Sequence, residues 1–430
     1  MRKKSVLAGV AAAAIALSGV LTGAATSQAA APVTITLWHN LGTTQNAVAA
    51  QKLADAYHVL NPSVTIKLVS QPADNYFALL QAAAISKNGP DLALMWTGLF
   101  ALQYKSYLTN LKTVLPANVL AKEGSLDWSS PNFDAANGPY VMPTDRQFYI
   151  GFYNKGAFTK AGVTSVPKNW NELYSACTKL KSAGYTPMVY GNGGQSLGAL
   201  YYPWYDASYI AMGQSSNVGG LRNLYSGDNQ WNSAANVAAY TKYAALKTKG
   251  CTNSDILTKT DNLDAFLGGK AAMIIDGTWD TQKFTDKMGA NVAAFVPPFS
   301  DKPIKGVVEF AGQGFSLTNY SKHQKEAVGF LTFLSTPAAS KIIDAAGLIP
   351  NVIGATTSNP VNQQMLDFAA KGGFLRYPML DNVVQGGVVD AGSKIIPTIL
   401  NGTASPAAGL KQMAQVWHSL PAASRGKSYK

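Results

Sequence analysis

Three tryptophans stand at the ends of predicted strands, where they could bind the face of a ring-shaped ligand. Trp38 ends the alternating segment 33–38, Trp96 ends the apolar segment 91–96, and Trp279 follows a short buried strand. Open α/β sheets bind ligands at the carboxyl ends of their strands. Sugars present apolar C–H faces ringed by hydroxyls, so a sugar site needs aromatic faces together with planar polar groups. The placement therefore predicts an aromatic-lined cleft.

Residues 194–198 fit the G-x-S-x-G pattern of a hydrolase nucleophile, but their context does not fit that chemistry. The serine of such an elbow must lie directly between a strand and a helix. Here Gly191, Asn192 and Gly193 separate it from the strand predicted over 187–190. His323 and His418 would complete a triad only if the fold brought them close. We expect no esterase.

The other reactive side chains form no recognisable catalytic or metal-binding pattern. Asp145, Asp206 and Asp276 could supply the two carboxylates of a glycan hydrolase, but their pairing cannot be deduced from spacing. The histidines at 39, 58, 323 and 418 lack metal-ligand spacing, and no phosphate-binding loop is present. We expect a protein that is not an enzyme and has no cofactor, catalytic residue or metal site. A secreted glycan hydrolase is the alternative from another class.

Strands and helices alternate along the chain, which predicts an α/β fold with parallel sheets. The first strands are predicted at 33–38, 64–69 and 91–96, with helices at 45–60 and 74–86. The pattern restarts at residue 149 and continues to a last helix at 406–420, without a linker that divides the chain once. This organisation indicates two lobes between which the chain crosses more than once.

Composition excludes a disordered chain and argues against a nucleic-acid-binding protein. Hydrophobic residues make up 47% of the 430 residues and charged residues only 13%, about half of the usual ~25%. The net charge of +12 arises from scarce acids, and no run of five basic residues occurs. Such a thinly spread charge is typical of a diffusely basic surface rather than a nucleic-acid patch.

The N-terminus has the features of an export signal. Three basic residues at 2–4 precede an Ala/Val/Leu stretch, and Ser27-Gln28-Ala29 fits a cleavage site after Ala29. An uncleaved anchor is the alternative. No other segment is apolar enough to span a membrane. Cys177 and Cys251 are the only cysteines, and in an oxidising compartment a disulfide is favoured over two buried thiols.

Five motifs, listed here in chain order, carry a family resemblance: T-L-W-H-N at 36–40; G-P-D at 89–91 before Trp96; Y-N-K at 153–155 with P-K-N-W-N-E-L at 167–173; F-L-G-G-K-A-A-M at 266–273 with D-G-T-W at 276–279; and G-L-I-P-N at 347–351. Together they resemble the extracellular solute-binding proteins of ABC importers, in the sugar-binding group that includes maltose-type binding proteins. Members from Gram-positive bacteria are usually lipoproteins, and this chain lacks the cysteine at the cleavage site. The compartment is therefore expected to be periplasmic or extracellular.

The resemblance implies a two-lobed periplasmic-binding-protein fold of type II, each lobe a mostly parallel sheet flanked by helices, joined by hinge strands. The signal covers 1–29, the N-terminal lobe 30–143 and 288–347, and the C-terminal lobe 144–287 and 348–430. Such a protein is a monomer that captures a carbohydrate, here an oligosaccharide, by hinge closure and delivers it to an ABC permease. The positive charge leaves an anionic sugar acid or glycerophosphodiester open as ligand.

The resemblance and the strand ends together give a set of candidate ligand-binding residues. They are Trp38, Asn40, Trp96, Thr97, Asp145, Arg146, Tyr202, Trp204, Trp279, Gly312, Gln313 and Arg376. Asp145 and Arg146 lie where the family's chain first crosses between lobes, so they either bind sugar hydroxyls or pair with each other. Trp170, Trp231 and Trp417 are expected to be packing residues instead.

Overall fold

The computed structural model describes residues 31–41, 44–72, 75–124, 138–192, 199–200, 224–227, 231–371 and 374–425. Eleven strands in this part of the chain form two sheets, of five and six strands. The strands are β1 Val33–His39, β2 Val64–Ser70, β3 Leu92–Trp96, β4 Met142–Pro143, β5 Arg146–Asn154, β6 Thr186–Met188, β7 Ala271–Gly277, β8 Val292–Phe295, β9 Gly306–Ala311, β10 Gln313–Leu317 and β11 Leu375–Tyr377.

Helices cover the faces of both sheets. They are α1 Gln45–Leu60, α2 Tyr76–Ser86, α3 Leu99–Gln103, α4 Ala117–Leu120, α5 Lys155–Lys160, α6 Trp170–Ser182, α7 Ala234–Thr248, α8 Asn262–Leu267, α9 Thr281–Met288, α10 Gln324–Leu334, α11 Pro337–Ala345, α12 Pro360–Ala370, α13 Gly386–Leu400 and α14 Pro406–Ser419. Helix α6 shows why these segments begin where they do. The N-cap Asn169 side chain accepts from Glu172 N, and Glu172 accepts from the backbone N–H of Lys168, the residue before the cap, an arrangement similar to a capping box.

The first sheet has the order β2-β1-β3-β10-β4. Strands β1, β2 and β3 are parallel, as predicted, and β10 runs antiparallel to both β3 and β4. Helices α1, α10 and α11 pack against one another beside this sheet. Their buried residues form one core with Leu37 and Phe315 of the strands.

The second sheet has the order β11-β9-β5-β7-β6, with β8 also pairing with β5. Strand β5 is antiparallel to β7, β8 and β9. Phe148, Ile150 and Phe152 of β5 belong to the core on one face of this sheet, whereas Tyr149 belongs to the larger core on the other face. Trp170, Trp231 and Trp417 lie in that larger core, so the packing role predicted for them is confirmed.

Each sheet therefore contains one reversed strand, β10 in the first and β5 in the second, and both reversed strands come directly after a crossing between the sheets. The chain crosses at residues 143–146, again at Gly312, and a third time at 348–349, where Leu348 belongs to the first core and Ile349 to the second. A strand that follows a crossing enters its new sheet at the strand ends that face the other lobe. It therefore runs antiparallel to its neighbours. Both sheets are thus mixed rather than mostly parallel, because their reversed strands pair antiparallel on both sides. The expectation of two α/β lobes joined by hinge strands agrees with this topology.

The segment 288–347, expected in the N-terminal lobe, is divided between the two sheets. Strands β8 and β9 are hydrogen-bonded to β5 of the second sheet, and the chain returns to the first sheet only at β10. The boundary predicted at residue 288 is wrong for this reason, and the sheet membership changes at Gly312. A chain that alternates between two similar sheets gives no compositional signal at such a change.

Cys177 on α6 and Cys251 after α7 are joined in a disulfide, with their Cα atoms 5.0 Å apart. Both side chains are fully buried in the second lobe. The predicted signal at 1–29 lies outside the described residues. Within the residues that the structure describes, none of the helices has the length and apolar character needed to cross a membrane.

Candidate functional site

The carboxyl ends of β1 and β3 lie next to the second crossing, at Gly312. We call this end of the strands of the first sheet the cleft edge. Trp38 is paired with Ala93 of β3, and Trp96 at the end of β3 lies opposite Gln313, the first residue of β10. Asn40 follows β1 directly and is half-buried. The structure thus brings four of the predicted site residues, Trp38, Asn40, Trp96 and Gln313, to this edge.

Trp96 presents the most accessible aromatic surface at this edge, with 38% of its surface exposed. Its ring meets the ring of Phe77 edge to face, with centroids 4.9 Å apart, and Phe77 in turn contacts Tyr104 at 5.5 Å. An indole held in this way offers an apolar face at little cost in side-chain entropy. Trp38 differs, because it is half-buried against the first core.

Thr97 is fully buried, and its hydrogen bonds connect the end of β3 to the hinge. Its hydroxyl donates to the carbonyl oxygens of Ala311 and Gly312, and its backbone N–H also donates to Gly312 O. These bonds tie the end of β3 to the second crossing. The hydroxyl, predicted to contact ligand, is thereby engaged with the backbone next to Trp96.

Asp145 lies in the first crossing and is 1% exposed. Its Oδ1 accepts from the Thr144 hydroxyl at 3.2 Å and its Oδ2 accepts from Gln147 Nε2 at 2.6 Å. Its backbone oxygen accepts from Gly312 N at 3.1 Å. Burial raises the pKa of Asp145 to about 6 in spite of these donors.

Arg146 does not pair with its neighbour Asp145. Its Nε donates to Glu309 Oε1 at 2.8 Å, and Nη1 of Arg376 approaches the same oxygen at 3.4 Å. Glu309 is 3% exposed, so a buried carboxylate on β9 holds both arginines on the second sheet. Of the two alternatives for Asp145 and Arg146, the mutual pair is therefore wrong.

Trp279 lies at the carboxyl end of β7 in the second lobe. Its half-buried ring stands 5.9 Å from that of Tyr149 and covers Gly277, where an added Cβ would come within 2.1 Å of the indole. The Thr278 hydroxyl accepts from Phe148 N at 3.1 Å. A glycine and a capped turn thus hold the predicted stacking residue against the strand end.

Gly312 permits a close approach inside the hinge rather than towards solvent. A Cβ at Gly312 would lie 2.3 Å from Cδ of Gln147, so the Gln147 amide rests on the backbone of the second crossing. The carbonyl of Gln313 accepts from the backbone N–H of Thr144 at 3.1 Å. Tyr202 and Trp204 lie outside the described residues, as do the G-x-S-x-G residues 194–198.

Sequence reasoning missed two polar residues of this region, Gln147 and Glu309. One signal was available for Gln147, because residues two apart on an extended chain point to the same side and Gln147 follows Asp145 by two. Glu309 is far from its partner Arg146 along the chain, and nothing in its local sequence distinguishes it.

Two arginines, Arg146 and Arg376, share the single carboxylate of Glu309 beside the crossings. Burial lowers the pKa of His39, which favours a neutral imidazole, and Arg146 is paired with Glu309. Across the described ranges, no group of three His, Cys, Asp or Glu side chains is arranged to hold a metal ion.

Comparisons with known proteins agree with this geometry. The family profile of bacterial extracellular solute-binding proteins matches residues 42–341. The sn-glycerol-3-phosphate-binding periplasmic protein UgpB of Salmonella paratyphi A is 24% identical over 345 residues, covering 75% of each chain.

Solved structures share the fold. A chitin oligosaccharide binding protein superposes with a TM-score of 0.72 at 20% identity, over 90% of this chain and 98% of the other. The maltodextrin-binding domain MalE of Bdellovibrio bacteriovorus, bound to maltotriose, gives 0.67 at 18% identity, over 89% and 98%. The family profile matches more than half of this chain, which shows that the chain belongs to the bacterial extracellular solute-binding proteins.

Proposed function

We propose that this protein captures a neutral oligosaccharide between its two lobes and delivers it to the permease of an ABC importer. The observation that carries this proposal is Trp96, a large and partly exposed ring at the carboxyl end of β3. Trp279 supplies a second ring at the corresponding end of β7. Aromatic faces beside amide and carboxylate groups match the alternating apolar and hydroxyl surfaces of a sugar.

Closure of the two lobes about the hinge is the change in shape that tells the permease that ligand is bound. Three crossings connect the lobes, so the lobes can rotate about one axis while each keeps its own core. A ligand that contacts both lobes binds the closed state better and shifts the population towards it. The permease then distinguishes loaded protein from empty protein by shape.

The relation to UgpB and the net charge of +12 favour an anionic ligand as the second candidate. His39 is favoured in its neutral form and Arg146 is held by Glu309, which supports the neutral ligand, whereas Arg376, 48% exposed and 3.4 Å from the same carboxylate oxygen, is the cation that an anionic ligand would use. An anion in a buried cleft needs a cation or several N–H donors directed at it.

We also propose that binding leaves the ligand unchanged, that the protein works as a monomer, and that it acts in the periplasm or outside the cell. The supports are membership of an extracellular binding-protein family and the full burial of Asp145 among amide and hydroxyl donors. A glycosidase instead places two carboxylates on either side of the scissile bond.

Calorimetry tests the ligand class with chitin oligosaccharides, maltotriose and sn-glycerol 3-phosphate, followed by chromatography of each compound. We expect saturable binding of a sugar, which is recovered intact. Trp96→Ala should weaken binding about 10- to 100-fold, since it removes the stacking face. Leu60→Ala is the matched control, because it removes an apolar side chain that is 63% exposed on α1 and should leave affinity unchanged.

Binding of sn-glycerol 3-phosphate alone would replace the neutral ligand by the anionic one. Degraded sugar would show an enzyme. Equal affinity of Trp96→Ala and the parent protein for every ligand would contradict the stacking site.

A further inference from the structure

One end of the second lobe carries six exposed lysines, and it lies at the opposite end of the sheet from Trp279. Strands β6 and β7 begin at this end, and β5 finishes there. The seven residues of β7 separate Lys270 from Thr278, which is about 20 Å at the rise of a strand. The six residues form the lysine pole, which consists of Lys155, Lys160, Lys179, Lys181, Lys249 and Lys270.

Contacts between neighbouring segments place these lysines on one continuous surface. Lys179 Nζ donates to Gly162 O at 3.2 Å, two residues after Lys160. The ammonium group of Lys160 lies 5.6 Å from the ring centroid of Tyr185. Strand β6 begins directly after Tyr185, and its first N–H donates to Lys270 O at 3.0 Å. The end of α5, the end of α6 and the start of β7 are therefore neighbours.

The disulfide brings the ends of α6 and α7 together. Lys181 Nζ lies 2.9 Å from the Cβ position of Gly250, the residue before the second cysteine. The ammonium group of Lys249 lies 5.7 Å from the ring centroid of Tyr174 on α6. Helix α5 is only six residues long, about 9 Å, so Lys155 at its start belongs to the same surface.

The lysine pole keeps most of its positive charge. None of the ion pairs in the described part of the chain includes one of the six lysines. Lys270 acts on one carboxylate, that of Asp261, whose pKa is lowered mainly by Lys259 and less by Lys270. Helices α5, α6, α7 and α8 end at this pole, and each helix end contributes about half an elementary negative charge. Together these charges compensate fewer than half of the six ammonium groups.

We propose that the lysine pole binds an extended polymer with repeated phosphate groups, of the phosphodiester class, outside the cell. All six cations are lysines, which attract phosphate as point charges without fixing its orientation. Their spread over several helix ends suits a chain of repeated charges better than a single phosphate. Under the function proposed above, such a contact leaves the cleft free, because the pole lies at the other end of the sheet.

The side chains around the lysines favour a polymer over a lipid bilayer. Surfaces that bind a bilayer combine cations with apolar side chains that enter the headgroup region. The exposed large apolar side chains of the described ranges lie instead on α1, on α2, at the end of β3 and after the third crossing. The lysine pole therefore offers charge without an apolar anchor.

The test compares two variants of equal net charge. The pole variant carries Lys160→Gln, Lys179→Gln, Lys181→Gln and Lys270→Gln. The control variant carries the same change at exposed lysines of the first lobe, as Lys52→Gln, Lys67→Gln, Lys325→Gln and Lys341→Gln. Thermal melting checks that both variants are folded. The binding of each to immobilised long-chain inorganic polyphosphate is then measured at 50 and 200 mM salt.

The parent protein should bind polyphosphate at 50 mM salt and lose at least about tenfold in affinity at 200 mM, because each phosphate contact releases counterions. At 50 mM salt the pole variant should bind at least about tenfold more weakly than the control variant. Sugar affinity should be the same in all three proteins, since the pole is remote from the cleft. The polyphosphate measurement needs no sugar, so it is independent of the proposed ligand.

An equal loss in the two variants would overturn the proposal, because net charge rather than the pole would then determine binding. So would a parent protein that does not bind polyphosphate at 50 mM salt. Competition by orthophosphate at the same phosphate concentration would replace the polymer by a single phosphate, since a polymer gains from multivalency. Tighter binding to phosphatidylglycerol vesicles or to duplex DNA than to polyphosphate would also reject the proposed partner.

Discussion

At the scale of single residues, the binding surface depends on what lies beneath each ring. Trp279 has its place because Gly277 lacks a side chain, and Trp96 has its orientation because Phe77 meets it edge to face. The strand-end position of both tryptophans was predictable from the short apolar segments that precede them. The role of Gln147 was missed, although it follows Asp145 by two residues, because its contact with Asp145 is seen only in the folded crossing.

Gly277→Ala tests the support beneath Trp279. An added Cβ would stand 2.1 Å from the indole, so the ring must leave its position. We expect sugar affinity to fall at least about tenfold and stability to drop by about 1–3 kcal/mol, the usual cost of overpacking. Calorimetry and thermal melting measure both. Gly386→Ala is the control, because its Cβ would meet its nearest neighbour, Gln103, at 3.4 Å. Parental affinity in Gly277→Ala would show that Trp279 is not a ligand contact.

At the scale of elements, local pattern was informative where it agreed with the packing. Helix α1 was predicted with the bounds that the structure shows, 45–60. Helix α13 was missed because Gly386, Gly387 and Pro397 interrupt its sequence. Its buried face, which includes Val388, Ile396 and Leu400, packs into the larger core of the second sheet, and this tertiary contact outweighs the weak local propensity.

The disulfide between α6 and the segment after α7 closes a loop with a sequence separation of 74 residues. Replacing both cysteines by serine should lower the free energy of unfolding by about 2–5 kcal/mol, chiefly because the unfolded chain regains freedom. Denaturant titration of the parent protein and the double variant measures this difference. Sugar affinity should persist, since both cysteines lie in the core. Equal stability of parent and variant would show that the bridge does not form in solution.

At the scale of the whole molecule, two carboxylates at the crossings oppose folding when they ionise, Asp145 being fully buried and Glu123 half-buried. Burial raises the pKa of Glu123 to about 7 and that of Asp145 to about 6. A raised pKa means that folding favours the protonated form, so this contribution to stability is present at low pH and is lost as pH rises through the folded-state values. We expect the melting temperature to fall between pH 5 and pH 8.

Glu123→Gln should remove much of the fall of the melting temperature with pH. Its gain in the free energy of unfolding at pH 8 should be on the order of 1–3 kcal/mol. Melting curves at half-unit pH steps measure it. Asp261→Asn is the control, because Asp261 is an exposed carboxylate whose pKa the neighbouring Lys259 lowers. A slope of equal size in Glu123→Gln would assign the pH dependence to other groups.

The three crossings also determine when the first lobe can fold during synthesis of the chain. Strand β10 lies between β3 and β4 and supplies hydrogen bonds to both, yet it is synthesised after nearly all of the second sheet. Until residues 313–317 have left the ribosome, β3 has an open edge and β4 has no partner in its sheet. The first lobe therefore cannot finish folding before most of the polypeptide exists. A chain whose N-terminal half is slow to become compact stays longer in the unfolded form that can be threaded through a membrane.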